Sequence, residues 1–99
     1  MVKQGSILQF DNKRTVLVIS NETFNDFTKN VIVCPIVDTD TDHPFHKKIT
    51  KTKTTGVILC DQVWTAAISA GNYKFIENIP EDILLDATDM VYGFIEKEK

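Results

Sequence analysis

Six short strand-like runs, rich in β-branched residues and separated by polar segments, lie within the first 77 residues of this 99-residue chain. They cover residues 6–10, 15–20, 31–37, 44–49, 56–63 and 73–77. Branched side chains pack well on a pleated surface, so runs of this length and composition favour β-strands. The Pro35 imide cannot donate a hydrogen bond to a neighbouring strand, which predicts an edge or a bulge at that point. The chain is therefore constrained to form a sheet of short strands.

The C-terminal segment follows a different period and predicts one amphipathic helix. Pro80 suits a first helical turn, and the acidic Glu81 and Asp82 favour the positive end of the helix dipole. The apolar residues that recur at helical spacing are Ile83, Leu84, Ala87, Met90, Val91, Phe94 and Ile95. We expect one domain over residues 1–99 of the α+β class, a small SH3-like, partly open antiparallel β-barrel with a C-terminal helix.

The net charge of −3 is concentrated in the helix segment. Residues 80–99 hold six acids and two lysines, a net of −4, which leaves +1 for residues 1–79. Four lysines between positions 47 and 53 could meet a phosphate backbone, although a solvated hairpin loop would have the same composition. The sequence has no apolar run of membrane-spanning length and no signal-peptide pattern at its start, so we expect a cytoplasmic location.

The sequence contains no clear motif for binding a metal or a cofactor. Cys34 and Cys60 lie in apolar runs without CxxC spacing, so we expect buried free thiols. The DTDTDH segment imitates the opening of a calcium loop, but its sixth position is His43 and its twelfth is Ile49 instead of glycine and glutamate. We therefore expect neither a metal nor a cofactor.

A few polar side chains at the ends of the predicted strands could support RNA cleavage without a cofactor. Arg14 offers a planar set of donors for phosphate, Asp61 could act as a base, and the histidines could titrate near neutral pH. Together such groups could assist attack of a 2′-OH on the adjacent phosphorus. Each also has a structural alternative: a surface charge, a turn carboxylate, a solvated strand residue or, for Trp64, a core or interface position.

The order of several segments resembles that of the MazF/PemK toxins. These segments are GSILQF, KRTVLVISNETFN, VIVCPIV, HPFHKKI, TTGVILCDQVWT and IPEDILLDATDMVYGFI, and together they span nearly the whole chain. The resemblance implies an SH3-like barrel, a homodimer, and the toxin component of a type II toxin–antitoxin system. It also implies sequence-specific, metal-independent cleavage of single-stranded mRNA, with a cognate antitoxin as partner.

By position, Arg14 matches the catalytic arginine of that family and Asp61 a carboxylate that some members use as a base. The predicted catalytic residues are Arg14, Asp61, Thr39 and His46. The predicted RNA-binding residues are Lys13, Lys47, Lys48, Gln62 and Trp64.

The sequence departs from the family pattern at several functional positions. The long glycine-rich first loop is reduced to DNKR, and Thr15 replaces a proline. Val37 stands where a hydroxyl residue is usual, with Thr39 two residues later, and Leu59 stands where some members have an arginine. Two alternatives therefore remain: a MazF-like RNA- or protein-binding module that has lost cleavage, and a CcdB-like topoisomerase inhibitor.

Overall fold

The computed structural model describes residues 2–38 and 43–97, which form a seven-stranded antiparallel sheet and two helices. The strands are β1 (Ser6–Phe10), β2 (Thr15–Val18), β3 (Asn30–Val37), β4 (His46–Lys48), β5 (Val57–Leu59), β6 (Trp64–Ala67) and β7 (Tyr73–Asn78). The helices are α1 (Glu22–Thr28) and α2 (Glu81–Ile95). The predicted α+β class, with an open antiparallel sheet and a C-terminal helix, is confirmed.

The long strand β3 organises the sheet. The strand order is β4-β5-β3-β2-β1-β7, and β6 pairs separately with β3. One edge of β3 is shared by two partners, because Ile36 and Val37 pair with β5 whereas residues 30–33 pair with β6. Pro35 lies between these two pairings, and its missing N–H accounts for an interruption there.

This interruption corrects one sequence prediction. The run 56–63 was expected to be a single strand, but β5 ends at Leu59 and a turn follows, closed by the hydrogen bond from Gln62 N to Leu59 O at 3.1 Å. The chain then begins β6 at Trp64, a strand that was not among the six predicted runs. The result is that Asp61 lies in a turn between two strands.

Alternation along the strands divides the buried side chains between two faces of the sheet. The face that we call the helix face packs against Ile83 and Ala87 of α2, and its sheet residues include Ile7, Leu17, Cys34, Ile36, Ile58 and Cys60. The face that we call the second face includes Leu8, Val16, Val18, Val31 and Val33, with Phe10, Trp64 and Tyr73 packed beside them. Both cysteines are buried free thiols, as expected.

The two helices start in different ways. Asn21 caps α1 by accepting a hydrogen bond from Phe24 N at 2.9 Å, which satisfies one of the free donors of the first turn. Pro80 precedes α2, and Glu81 and Asp82 lie in its first turn, as the sequence predicted. Within the described chain, neither helix is long and apolar enough to cross a lipid bilayer.

Candidate functional site

Arg14 is held at the start of β2 by the tight turn that precedes it. Lys13 adopts a left-handed conformation with φ of 70°, and the Asn12 side chain accepts a hydrogen bond from Arg14 N at 3.0 Å. The Arg14 carbonyl accepts a second bond from Phe10 N at 2.9 Å. These contacts set the direction in which the guanidinium leaves the turn.

The Arg14 guanidinium lies over the indole of Trp64, with 4.7 Å between the guanidinium carbon and the ring centroid. This cation–π contact orients a planar donor group without using its N–H bonds. Beside it is an open cavity of about 300 Å³. The cavity is lined by Phe10, Asp11, Asn12, Arg14, Trp64, Ala66, Ala67 and Asn72. The pair therefore forms one wall of a pocket suited to a phosphate or an unstacked base.

A second polar group forms where β4 meets the turn after β5. His46 Nε2 and Asp61 Oδ1 are 3.0 Å apart, a hydrogen-bond distance. The His46 side chain is 11% exposed and the Asp61 side chain 36% exposed, so the carboxylate is the member that solvent or substrate reaches. His46 Nδ1 is buried and has no hydrogen-bond partner in the part of the chain that the structure describes.

His43 stacks on His46, with ring centroids 4.1 Å apart and an interplanar angle of 22°. Its Nδ1 accepts a hydrogen bond from Phe45 N at 3.2 Å, and its carbonyl accepts one from His46 N at 3.1 Å. His43, His46 and Asp61 each offer a ligand atom, and these atoms all lie within 4.8 Å of one another. The sequence predicted no metal site, so this cluster is a finding of the structure.

The strand register places Arg14 and His46 on the same face of the sheet. Thr15 pairs with Ile36 on the helix face, so Arg14 points to the second face. Ile58 likewise belongs to the helix face and pairs with Lys47, so the neighbouring pair of His46 and Leu59 belongs to the second face.

Leu59 pairs with His46 and lies on β5, one of the two strands between β4 and β2. Its side chain is buried, with 9% exposure. Strands β2 and β4 are three spacings apart in the sheet, about 14 Å. Two strands, β3 and β5, thus lie between the strand that carries Arg14 and the strand that carries His46.

The remaining predicted residues have mixed positions. Lys48 belongs to the second face with His46, whereas Lys47 points to α2 and forms an ion pair with Asp86 at 2.8 Å between Nζ and Oδ2. Gln62 is exposed in the turn after β5, and Lys13 is exposed in the turn before β2. Thr39 lies outside the described residues.

An apolar cavity of about 450 Å³ borders the other side of Asp61. It is formed by the segment that follows β2, by β3, by the turn after β5 and by the end of α2, through Ile19, Ser20, Ile32, Asp61, Val63, Val91, Phe94 and Ile95. The carboxylate thus lies at the boundary between a polar face and an apolar surface.

The buried Cys34 thiol is a poor candidate for chemistry. The neighbouring Cys60 thiol, and then burial, raise the pKa of Cys34 far above its usual range. A thiol in this state is not a nucleophile at neutral pH.

A comparison of the sequence with protein-family models gives a match. Residues 5–92 match the family model described as PemK-like, MazF-like toxin of type II toxin–antitoxin system. The comparison with curated protein sequences gave no match.

Several solved structures have the same fold. A MazE–MazF crystal structure (Form-I) from Deinococcus radiodurans is 18% identical, with a TM-score of 0.87 and coverage of 95% of both chains. An endoribonuclease from Mycobacterial species is 15% identical, with a TM-score of 0.85 and coverage of 95% of this chain and 90% of the other. The toxin MazF-mt6 of Mycobacterium tuberculosis is 19% identical, with a TM-score of 0.70 and coverage of 95% and 97%.

Proposed function

This chain belongs to the PemK-like, MazF-like toxin family of type II toxin–antitoxin systems, and on that premise we propose that it is a sequence-specific endoribonuclease. The substrate is single-stranded mRNA, and the reaction is attack of a ribose 2′-OH on the adjacent phosphorus without a metal. The observation that supports this proposal best is the pairing of Asp61 with His46 on the face that also presents Arg14.

Asp61 is the general base in this proposal. One carboxylate oxygen lies 3.0 Å from His46 Nε2, which leaves the other oxygen for the 2′-OH proton. His46 is too deeply buried to reach the ribose itself, since its Nδ1 is enclosed and its Nε2 faces the carboxylate. Its role is to orient Asp61 and to stabilise the carboxylate while its charge changes on accepting the 2′-OH proton.

Arg14 stabilises the charge that develops on the phosphorus oxygens. Trp64, over which the guanidinium lies, is only three residues after Asp61, so their Cα atoms are no more than about 11 Å apart. We propose that the scissile phosphate lies against the Arg14 guanidinium, while the ribose that carries the attacking 2′-OH lies at Asp61. The 2′-oxygen then bonds to phosphorus, the bond from phosphorus to the 5′-oxygen breaks, and the leaving oxygen takes a proton from solvent.

The proposed RNA contacts extend from this centre. Trp64 and the guanidinium plane of Arg14 offer surfaces on which an unstacked base can lie. Lys13 and Lys48 supply positive charge next to Arg14 and His46, and Gln62 supplies hydrogen bonds from the exposed turn. Thr39 stays a proposed catalytic residue, and Lys47 is a weaker candidate because Asp86 already neutralises it.

The proposed partners follow from the family. We propose that the chain forms a homodimer. We also propose that it binds a cognate antitoxin, and this is supported by solved structures named as MazE-MazF and as an endoribonuclease in complex with its cognate antitoxin. The proposed mRNA substrate implies action in the cytoplasm.

The test is cleavage of a long single-stranded RNA by the purified protein in the presence of EDTA. We expect discrete cuts that Arg14→Ala abolishes. Lys74→Ala is the matched control, because Lys74 is also an exposed cation but pairs with Gln9, which places it on the helix face. Intact RNA with measurable RNA binding by the wild type would contradict the proposal and would favour the binding module.

A further inference from the structure

We propose that His43, His46 and Asp61 form a binding site for a divalent transition-metal ion, with Zn²⁺ as its best fit, and that this ion inhibits the protein. The binding site is independent of the proposed function. The inhibition rests on it, because the ion would occupy the base of the proposed reaction.

The ligand set and its spacing suit such an ion. Two imidazoles and one carboxylate are a common three-residue set for zinc, with the fourth position left to water. Zinc bonds to nitrogen and oxygen at about 2.0–2.2 Å, so two ligand atoms on a tetrahedral ion lie about 3.3 Å apart. His46 Nε2 and Asp61 Oδ1 are already 3.0 Å apart, and the third ligand atom lies within 4.8 Å of both.

The backbone around the ligands is held by its own hydrogen bonds. The bond from His46 N to His43 O closes the turn that brings the two histidines to the same side. The bond from Cys60 N to Phe45 O, at 3.1 Å, joins the histidine segment to the aspartate segment. Phe45 also packs edge-on against Phe94 of α2, with centroids 4.9 Å apart. Metal binding therefore needs little rearrangement of the main chain.

One ligand must turn before it binds. Stacked imidazoles direct their in-plane lone pairs side by side, so His43 has to leave the stack to share an ion with His46. His43 is exposed, and the hydrogen bond that its Nδ1 would lose comes from Phe45 N in a solvent-exposed turn, where water can replace it. His43 is thus the ligand that closes the site.

The environment of His46 limits the affinity. A histidine that binds a metal through Nε2 has its proton on Nδ1, and that proton usually has an acceptor. The buried Nδ1 of His46 has none among the described residues. The missing outer partner reduces affinity by about 10- to 100-fold relative to a fully supported site, so the ion is a reversible ligand and not a permanent component.

The mixture of imidazole and carboxylate ligands favours late first-row ions. Imidazole suits Zn²⁺, Ni²⁺ and Co²⁺, whereas Mg²⁺ and Ca²⁺ prefer oxygen ligands alone. On binding, the ion replaces the Nε2 proton of His46 and occupies an oxygen of Asp61. The carboxylate can then no longer accept the proton of a ribose hydroxyl, so the bound protein is inactive.

The test is a titration of untagged, full-length protein with Co²⁺, followed by its visible absorption. We expect one Co²⁺ per chain with the bands of a nitrogen- and oxygen-ligated ion, displaced by Zn²⁺. His43→Ala and Asp61→Asn should each weaken Co²⁺ binding at least tenfold, while Lys48→Ala, a neighbouring cation that is not a ligand, should leave it unchanged. Circular dichroism confirms that each variant is folded.

Three results would overturn the site: no visible bands, equal affinity in wild type and His43→Ala, or a sulfur-to-cobalt charge-transfer band that places the ion on a cysteine. The inhibition is tested separately, by the ratio of RNA cleavage rates with Zn²⁺ and with EDTA. The cleavage rate with Zn²⁺ should be at least tenfold lower than the rate with EDTA in wild type. In His43→Ala the two rates should be nearly equal. A protein that binds Co²⁺ as expected but never cleaves RNA would support the site and refute the inhibition together with the proposed function.

Discussion

The pair of Asp61 and His46 shows how much a single residue in this chain depends on its neighbour. The sequence indicated both side chains as candidates, and the resemblance to the MazF/PemK toxins indicated a base at Asp61. Their contact could not be predicted, because it depends on how β4 pairs with β5 across a long hairpin. The structure adds that His46 is the enclosed member and Asp61 the accessible one.

Replacement of Asp61 by asparagine tests its proposed role as base. The amide side chain would keep the shape and a hydrogen-bond acceptor for His46 but could not accept a proton, so Asp61→Asn should lower the RNA cleavage rate by about 10²- to 10⁴-fold. Asp89→Asn, at an exposed position on α2, is the matched control and should cleave at the wild-type rate. Comparable rates for Asp61→Asn and wild type in single-turnover assays would exclude this carboxylate as the base.

Glu77 gives the chain a predicted dependence of stability on pH. Its carboxylate accepts hydrogen bonds from the Thr54 hydroxyl at 2.6 Å and from Thr54 N at 2.7 Å, which hold the pKa of Glu77 below its ordinary value of 4.5. Because the folded state lowers this pKa, the stabilisation is fully present above pH 4.5 and is lost as pH falls through the pKa of the folded protein.

We therefore expect Glu77→Gln to destabilise the protein at pH 7 and to approach wild-type stability in acid. Urea unfolding at a series of pH values between neutral and about 3 measures the difference in free energy. In a Thr54→Val background the effect of Glu77→Gln should be smaller, since one of the two donors is gone. A difference between wild type and Glu77→Gln that stays constant over the whole pH series would show that the carboxylate is not the cause.

At the scale of elements, regular patterns were predictable and interruptions were not. The helical period after Pro80 predicted α2, which is confirmed. The continuous run 56–63 concealed the change from β5 to β6, because the break depends on the neighbouring strand β3 and its Pro35. The β-propensity of a segment does not indicate which strand it pairs with or where that pairing ends.

The turn into β5 depends on a glycine. Gly56 has a φ of +125°, and a Cβ atom there would collide with the carbonyl oxygen of Val37 in β3. Gly56→Ala should therefore lower the free energy of unfolding by more than the roughly 1–3 kcal/mol that backbone strain alone would cost. Gly93→Ala is the control, because Gly93 lies in α2 with open space around it and alanine should stabilise the helix by about 0.5–1 kcal/mol. Equal unfolding midpoints for the two variants would contradict the proposed requirement for glycine at position 56.

At the scale of the whole molecule, more of the fold than of the site could be predicted from the sequence. The order of strands and helix and the resemblance gave the fold class, which the family match over residues 5–92 supports. The distance between Arg14 and His46 was not predictable, since it depends on three successive strand registers. That residues 1–99 fold as one domain stays a prediction.

The assembly is also a prediction. The chain leaves large apolar side chains exposed at the end of α2 and in the turn after β5, including Tyr92, Ile95 and Val63. Contiguous exposed apolar surface is typical of an interface. We expect light scattering at micromolar concentration to give twice the 11.2 kDa mass of the chain. The mass of a single chain under these conditions would refute the homodimer.

The measurement that tests the central claim most directly is an analysis of the ends of the RNA fragments produced in EDTA. Attack by the 2′-OH leaves a 2′,3′-cyclic phosphate on one fragment and a 5′-hydroxyl on the other, and we expect these ends at discrete sites with wild type and Lys74→Ala. Arg14→Ala should produce neither, and Asp61→Asn should produce them at least about 10²-fold more slowly. Fragments with 5′-phosphate and 3′-hydroxyl ends, or RNA left intact by wild type, would contradict the account.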